Sequence, residues 1–263
     1  MGPCLSSVAM ISTISPLELD VWDVTSDIVS CVPQPTAVTA RVSGLYHLRQ
    51  YIATDQLTQL DYAITEYKEA NKLILGLNKR KLECLYNLGC AYFLRFEELE
   101  KRKDIDQTIY YLNKALDTAS GDDSYYAQGL EALGLAYWTL YHSLDVHDHV
   151  DDACDCFERM VSLIQDDARK AEMLEDLSEK YDLLFEELGN QKYLEQLVAC
   201  LQQAVSLTAN SRPEISWRQY KLGTAYQLLG KQLGEGWIFE HHEDILHCIS
   251  KNQNEALQLR LLP

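Results

Sequence analysis

The feature that most constrains this chain is a five-residue cell that returns at an almost fixed interval. Leu88-Gly89-Cys90-Ala91-Tyr92 reappears as Leu133-Gly134-Leu135-Ala136-Tyr137 and as Leu222-Gly223-Thr224-Ala225-Tyr226. Leu177-Ser178-Glu179-Lys180-Tyr181 keeps the Leu and the Tyr and replaces Gly with Ser. The small residues at 89, 134, 178 and 223 are separated by 45, 44 and 45 residues, and one further step back reaches Gly44. Self-similarity at a fixed period in this range belongs to repeat architectures, in which each unit packs on its neighbours.

The residues between the cells have helical periodicity. Val42, Leu45, Leu48 and Ile52 form one apolar stripe, and Leu60, Ala63, Ile64, Tyr67, Ala70 and Ile74 form a second. The second repeat runs from about Asn78 to Ala119, with a first helix continuing through Leu99. Asp104 reads as the N-cap of the helix that carries Ile105, Ile109, Leu112, Ala115 and Leu116. The third spans Tyr125 to Ile164, divided near His147-Asp148. The fourth spans Asp166 to Thr208, divided at Gly189-Asn190. The fifth starts near Glu214, with Pro213 at its entrance, and its second helix is expected over roughly His241 to Arg260. Gly76 reads as a helix C-cap and Ser120 to Asp123 as a turn. The expected fold is therefore all-α, an α-solenoid of about five antiparallel helix pairs over residues 37–262. Residues 1–36, with Pro16, Pro33 and Pro35 and no sustained period, read as a flexible segment.

A glycine in mid-helix costs about 1 kcal/mol relative to alanine. Its return at one register implies that something offsets the cost, and close approach of the paired helix is the physical cause expected. The Tyr three residues later lies on the same face and fills the space beside it.

Charge and composition exclude several classes. Twenty-three basic residues stand against 40 acidic ones, a net charge of −17. Nucleic acid and anionic membrane both call for basic patches, so neither is an expected partner; a protein or peptide with basic character is compatible. No run of apolar residues is long enough to span a bilayer. The eight cysteines contain no Cys-x-x-Cys pair, which fits a reduced, cytoplasmic chain. No Lys or Arg precedes Arg41, so no secretory signal is expected, and Met1-Gly2-Pro3-Cys4 reads as a chance match to an acylation pattern.

No phosphate-binding loop, nucleophile elbow or His-Glu-x-x-His is present, and neither a cofactor nor catalysis is expected. Two histidine groups have residue types that could ligate a metal. His142, His147 and His149 lie near Asp148 and Asp151, and His241-His242-Glu243-Asp244 precedes His247-Cys248. Both occur at bends and helix starts and read as solvated surface.

Leu88-Gly89-x-Ala91-Tyr92 followed by Leu112-x-x-Ala115-Leu116 resembles the tetratricopeptide repeat (TPR), whose usual unit is 34 residues. With Arg95-Phe96-Glu97 and Asp104-Ile105-Asp106, the lengthened unit is similar to the TPR arrays of fungal proteins that often end in a caspase-like CHAT peptidase domain. The resemblance implies a non-enzymatic interaction scaffold that holds a partner segment in the concave groove of the array. Its alternative is the regulatory part of such a peptidase, with the catalytic domain outside this chain. First helices line the groove of a TPR array. By register the expected groove residues are Glu83, Tyr86, Cys90, Phe93, Glu131, Leu135, Trp138, Glu175, Glu179, Asp182, Trp217, Tyr220 and Thr224. That surface is aromatic and acidic, and it lacks the Lys/Asn set that clamps a C-terminal carboxylate.

Overall fold

The helix starts follow from local capping chemistry. In the computed structural model, which describes residues 36–233 apart from 77, 120–123, 145 and 210–211, Thr36 forms a reciprocal box with Thr39 at the first helix. Asn78 accepts from the Lys81 backbone N–H at 3.0 Å, Asp166 from that of Arg169 at 2.8 Å, and Asn190 from that of Lys192 at 3.1 Å. The helices are α1 (Ala37–Thr54), α2 (Leu57–Leu73), α3 (Lys79–Leu99), α4 (Arg102–Thr118), α5 (Ser124–Leu144), α6 (Val150–Leu163), α7 (Asp167–Leu188), α8 (Gln191–Leu207) and α9 (Glu214–Leu233). A 3₁₀ turn, His147–His149, stands between α5 and α6. Among the described residues there is no strand, and the fold is an all-α helical repeat. No described helix is long and apolar enough to cross a membrane.

The chain divides into two compact units, Met1–Met160 and Val161–Pro263. In the first, α1 packs on α2, α3 on both α2 and α4, and α5 on α4. In the second, α8 packs on α7 and on α9. The second helix expected in the fifth repeat, the turn at 120–123 and the segment before Thr36 lie outside the described residues.

The small residue sits where the paired helix comes closest. A Cβ added at Gly44 would lie 3.0 Å from the ring of Tyr67, at Gly89 2.8 Å from Cγ of Leu112, and at Gly134 2.8 Å from the ring of Phe157. The opposing residue lies 23 positions further on in each case. Ser178 and Leu201 stand at the same separation, and both are buried. The Tyr of the cell then stacks on a ring from the paired element. Tyr92 lies 5.7 Å from Tyr111, Tyr137 5.3 Å from His149 and Tyr181 6.3 Å from Tyr193, all near parallel. Tyr226 instead accepts a hydrogen bond from Gln202 through its hydroxyl, at 2.5 Å.

First helices also end alike. Asp55, Glu100 and Gly189 all close their helices in the left-handed conformation, with φ of 57°, 50° and 62°. Two of the three are not glycine, which is why the sequence marks only the third. Gly76 does not cap α2: that helix is closed by Ile74 in an extended conformation, and Gly76 turns the linker two residues later at φ 76°.

Asp104 likewise does not cap α4. The helix begins at Arg102, after Lys101, which makes no side-chain cap. Asp104 is buried inside the first turn, where both its oxygens accept from Arg95, at 3.0 Å and 2.6 Å. The same guanidinium donates to Asp61 at 2.7 Å and lies over the ring of Tyr92. A capping residue needs to reach only its own helix end. This carboxylate is recruited by the long Arg95 side chain from the preceding helix, and a buried charge needs such a partner.

Gly89→Ala should lower stability by about 1–3 kcal/mol in chemical denaturation, because the added methyl meets a branching carbon of Leu112 rather than a free chain end. At an uncrowded mid-helix site the same change stabilises by about 1 kcal/mol. Gly129→Ala meets chiefly one terminal methyl of Leu116, so its cost should be smaller. A Gly89→Ala chain more stable than its parent would remove the close approach as the reason for the glycine. Glu100→Gly should stabilise by up to about 1 kcal/mol by relieving a left-handed non-glycine cap, read as a rise in denaturation midpoint.

Candidate functional site

Measured from the small residue of each cell, the expected groove positions fall into two classes. Glu83 and Tyr86, six and three residues before Gly89, and Glu175, three before Ser178, are taken up at junctions between first helices, whereas Trp217 and Tyr220, six and three before Gly223, are exposed. Arg41 on α1 donates to Glu83 on α3 at 2.6 Å, and Glu83 is 6% exposed. Tyr86 is buried edge-on to Tyr125 of α5, with ring centroids 5.7 Å apart. Phe93 and Cys90 are fully buried, and burial pushes the Cys90 thiol up to about 12. These four residues were expected on an open groove. They lie inside the first unit because the first helices of neighbouring repeats approach closely there.

On α5, Glu131, Leu135 and Trp138 are half-buried, and the Trp138 ring lies 5.9 Å from Tyr141 and 5.1 Å from His142. Cys84, Cys154, Cys156 and Cys200 are buried. Burial raises Cys84 and Cys156 to about 12, which removes the thiolate that reactive cysteines need. His149 pairs with Asp152 at 3.0 Å. Among the described residues no group of three or more His, Cys, Asp and Glu side chains is placed to hold a metal ion. The second histidine group, 241–248, lies outside the described residues.

In the second unit the site is built from α7 and α9. Glu175 accepts from Arg218 at 2.9 Å and from Lys221 at 3.0 Å, and Lys221 also reaches Glu179 at 2.7 Å. Arg218 is buried and donates further to Thr208 at 2.6 Å. The Lys221 ammonium lies 5.3 Å from the ring of Trp217, which stacks on Tyr220. Trp217, Tyr220 and Thr224 are exposed.

Glu179, Asp182 and Glu186 follow one another at spacings of three and four along α7, with exposed Leu183 beside them. Burial first, and then the charges of Glu186 and Glu179, raise the Asp182 carboxyl above its ordinary value, against the opposing pull of Lys221. Asp176 is raised likewise, by burial and by Glu179 and Glu175. Glu175 behaves in the opposite sense. Burial pushes it up, but the hydrogen bonds from Lys221 and Arg218 outweigh that and hold it below its ordinary value. The negative charge of α7 is thus neutralised at Glu175 and in surplus one to two turns later.

Sequence reasoning missed Arg41, Arg218 and Lys221, the cations that occupy the expected acidic positions. A signal was available: the paired charges stand 42, 43, 46 and 42 residues apart, close to one repeat. Opposite charges separated by one period mark a junction between first helices.

Glu175→Gln should lower the melting temperature, because two cations lose an ionised partner. Asp182→Asn should leave it unchanged or slightly raised, because a carboxylate in a field of like charge is removed. The folded Glu175 carboxyl lies below its unfolded value. Its contribution is therefore present above the unfolded pKa and lost as pH falls through the folded one. Comparing parent and Glu175→Gln melting temperatures across that acid range checks this: the gap between them should close on acidification.

No protein-family model matches the chain, and no curated protein is similar to it. Solved structures are similar at low identity. The crystal structure of MamA protein is 17% identical over 83% of this chain and 94% of its own, with a TM-score of 0.47. The Podosopora anserina putative kinesin light chain with nearly identical TPR-like repeats is 17% identical over 84% and 99%, with a TM-score of 0.48. BtubC (BKLC) from P. vanneervenii is 12% identical over 87% and 92%, with a TM-score of 0.44.

Proposed function

We propose that this chain is a non-enzymatic protein-interaction scaffold whose α7 stripe, Glu179, Asp182, Leu183 and Glu186, receives a partner segment carrying Lys or Arg beside apolar side chains. One observation carries this reading: the stripe holds more negative charge than its own surroundings neutralise. Glu175 is saturated by Arg218 and Lys221, and Lys221 is the cation that bridges on to Glu179. Asp182, half-buried beside Glu186 and Glu179, is left in a field of like charge. A basic segment laid along the stripe relieves that repulsion, and Leu183, 43% exposed, supplies apolar contact between the acids. Surplus charge of this kind also speeds encounter with an oppositely charged partner.

The expected groove narrows accordingly. Glu83, Tyr86, Cys90 and Phe93 serve packing, and Glu175 serves the α7–α9 junction. Charge reversal at Glu175 would therefore report on folding as much as on binding, whereas Glu179 and Asp182 report on binding.

The test is a Lys/Arg-rich amphipathic peptide library titrated against the full chain and against Glu179→Lys/Asp182→Lys. Binding should fall at least tenfold in the variant with its melting temperature within a few degrees of the parent, and should weaken as salt rises. It should also weaken on acidification, as the raised Asp182 carboxyl takes up a proton. Peptide binding that survives both the reversal and high salt would overturn the reading.

A further inference from the structure

One contact at the α7–α9 junction lies outside the packing scheme of the repeat. Glu175 is held on both oxygens: Arg218 donates to Oε2 at 2.9 Å and Lys221 to Oε1 at 3.0 Å. Arg218 is buried and fixed a second time by Thr208. The Lys221 ammonium goes further and donates to Oε1 of Glu179 at 2.7 Å. Two residues before the small residue, where α9 has Lys221, the other first helices carry Val42, Asn87, Ala132 and Asp176. One residue after it, where α7 has Glu179, they carry Leu45, Cys90, Leu135 and Thr224. The α1–α3 and α3–α5 junctions therefore close without such a pair, and Glu179–Lys221 is an addition made at the α7 stripe.

The two arms of Lys221 are held unequally. On one side the Glu175 side chain is 17% exposed and the Trp217 ring lies 5.3 Å from the ammonium. On the other, the Glu179 side chain is 63% exposed. An exposed ion pair contributes little, so a cation arriving from solvent can replace Lys221 at Glu179 while Lys221 keeps Glu175 and Trp217. Lys221 engages one oxygen of Glu179. An incoming Lys exchanges like for like and gains almost nothing. An incoming Arg presents a fork that engages both carboxylate oxygens, so it gains a hydrogen bond in the exchange.

We propose, on the reading of the α7 stripe as a binding site, that Lys221 is its internal competitor and makes Glu179 selective for arginine. A partner's Lys or Arg is received at Asp182 and Glu186 without displacing an ammonium, because Asp182 feels Lys221 through space alone. A second cation facing Glu179 has to displace Lys221 first, and only Arg does so with a gain. The discrimination comes from a contact that must be broken, not from an added attraction.

The probe is an amphipathic helical peptide with one fixed Lys and with Gln, Lys or Arg seven residues away, a span of about 10 Å that matches Glu179 to Glu186 along α7. Calorimetric titration of the full chain should show the Gln and Lys peptides within about twofold of each other and the Arg peptide about two- to fivefold tighter. In Lys221→Gln the Lys peptide should gain about two- to fivefold over the Gln peptide, because nothing has to be displaced. In Glu179→Gln, with or without Lys221→Gln, the three peptides should bind alike. Glutamine at 221 keeps an N–H donor for Glu175 and leaves Arg218 on the other oxygen, so the junction holds. Lys180→Gln removes an equal charge from α7 itself, beside Asp176, and should leave the parent pattern unchanged. A parent chain that already prefers Lys to Gln as strongly as Lys221→Gln does, or a preference that appears equally in Lys180→Gln, would overturn the competition and leave the stripe standing. Failure of every peptide to bind both the parent and Lys221→Gln would remove the stripe as a binding site, and the competitor with it.

Discussion

The close approach of paired helices at the small residue is the contact on which the other regularities depend. A Cβ at Gly44, Gly89 or Gly134 would sit 3.0 Å or less from a side chain of the second helix, so any larger residue pushes the pair apart. Once that distance is fixed, the Tyr three residues later lands on the partner's rings. The residues two to six positions earlier are left to meet the neighbouring first helix. One steric constraint, repeated every 44 or 45 residues, thereby sets both the packing within pairs and the junctions between them.

Those junctions decide what the surface can do. A carboxylate that meets an Arg or Lys one repeat away is consumed in holding helices together, as Glu83 and Glu175 are. A carboxylate one turn beyond keeps its charge for something else. Glu175 and Asp182, on the same helix and two turns apart, are held in opposite directions from their ordinary acidity: at Asp182 burial, with the charges of Glu186 and Glu179, prevails over Lys221, and at Glu175 the hydrogen bonds from Lys221 and Arg218 prevail over burial. The same division applies to aromatics: Tyr86 is spent at a junction, and Tyr220, in the same register, is presented outward. Position within the repeat tells where a side chain points. The presence of a complementary neighbour one period away tells whether it remains available.

Asp104 shows how the same logic overrides a local signal. Its place at the start of α4 suits a cap, and the backbone there would accept one. The Arg95 fork offers two charge-assisted hydrogen bonds and draws the carboxylate into the interior instead, leaving Lys101 at the uncapped start.

The helical class, the period, the order of the elements and the register of the small residue are all legible in the sequence. Each is written in local spacing: a stripe every three or four residues, a cap before it, and one compulsory small residue per unit. It also placed the helix ends at Leu99 and Gly189, although not the left-handed caps at Asp55 and Glu100, whose residue types do not advertise that conformation. Tertiary structure alone decided which of thirteen register-equivalent groove residues remain exposed. That outcome depends on partners 42 to 46 residues away, such as Arg41 for Glu83 and Arg218 and Lys221 for Glu175, whose cations saturate those carboxylates.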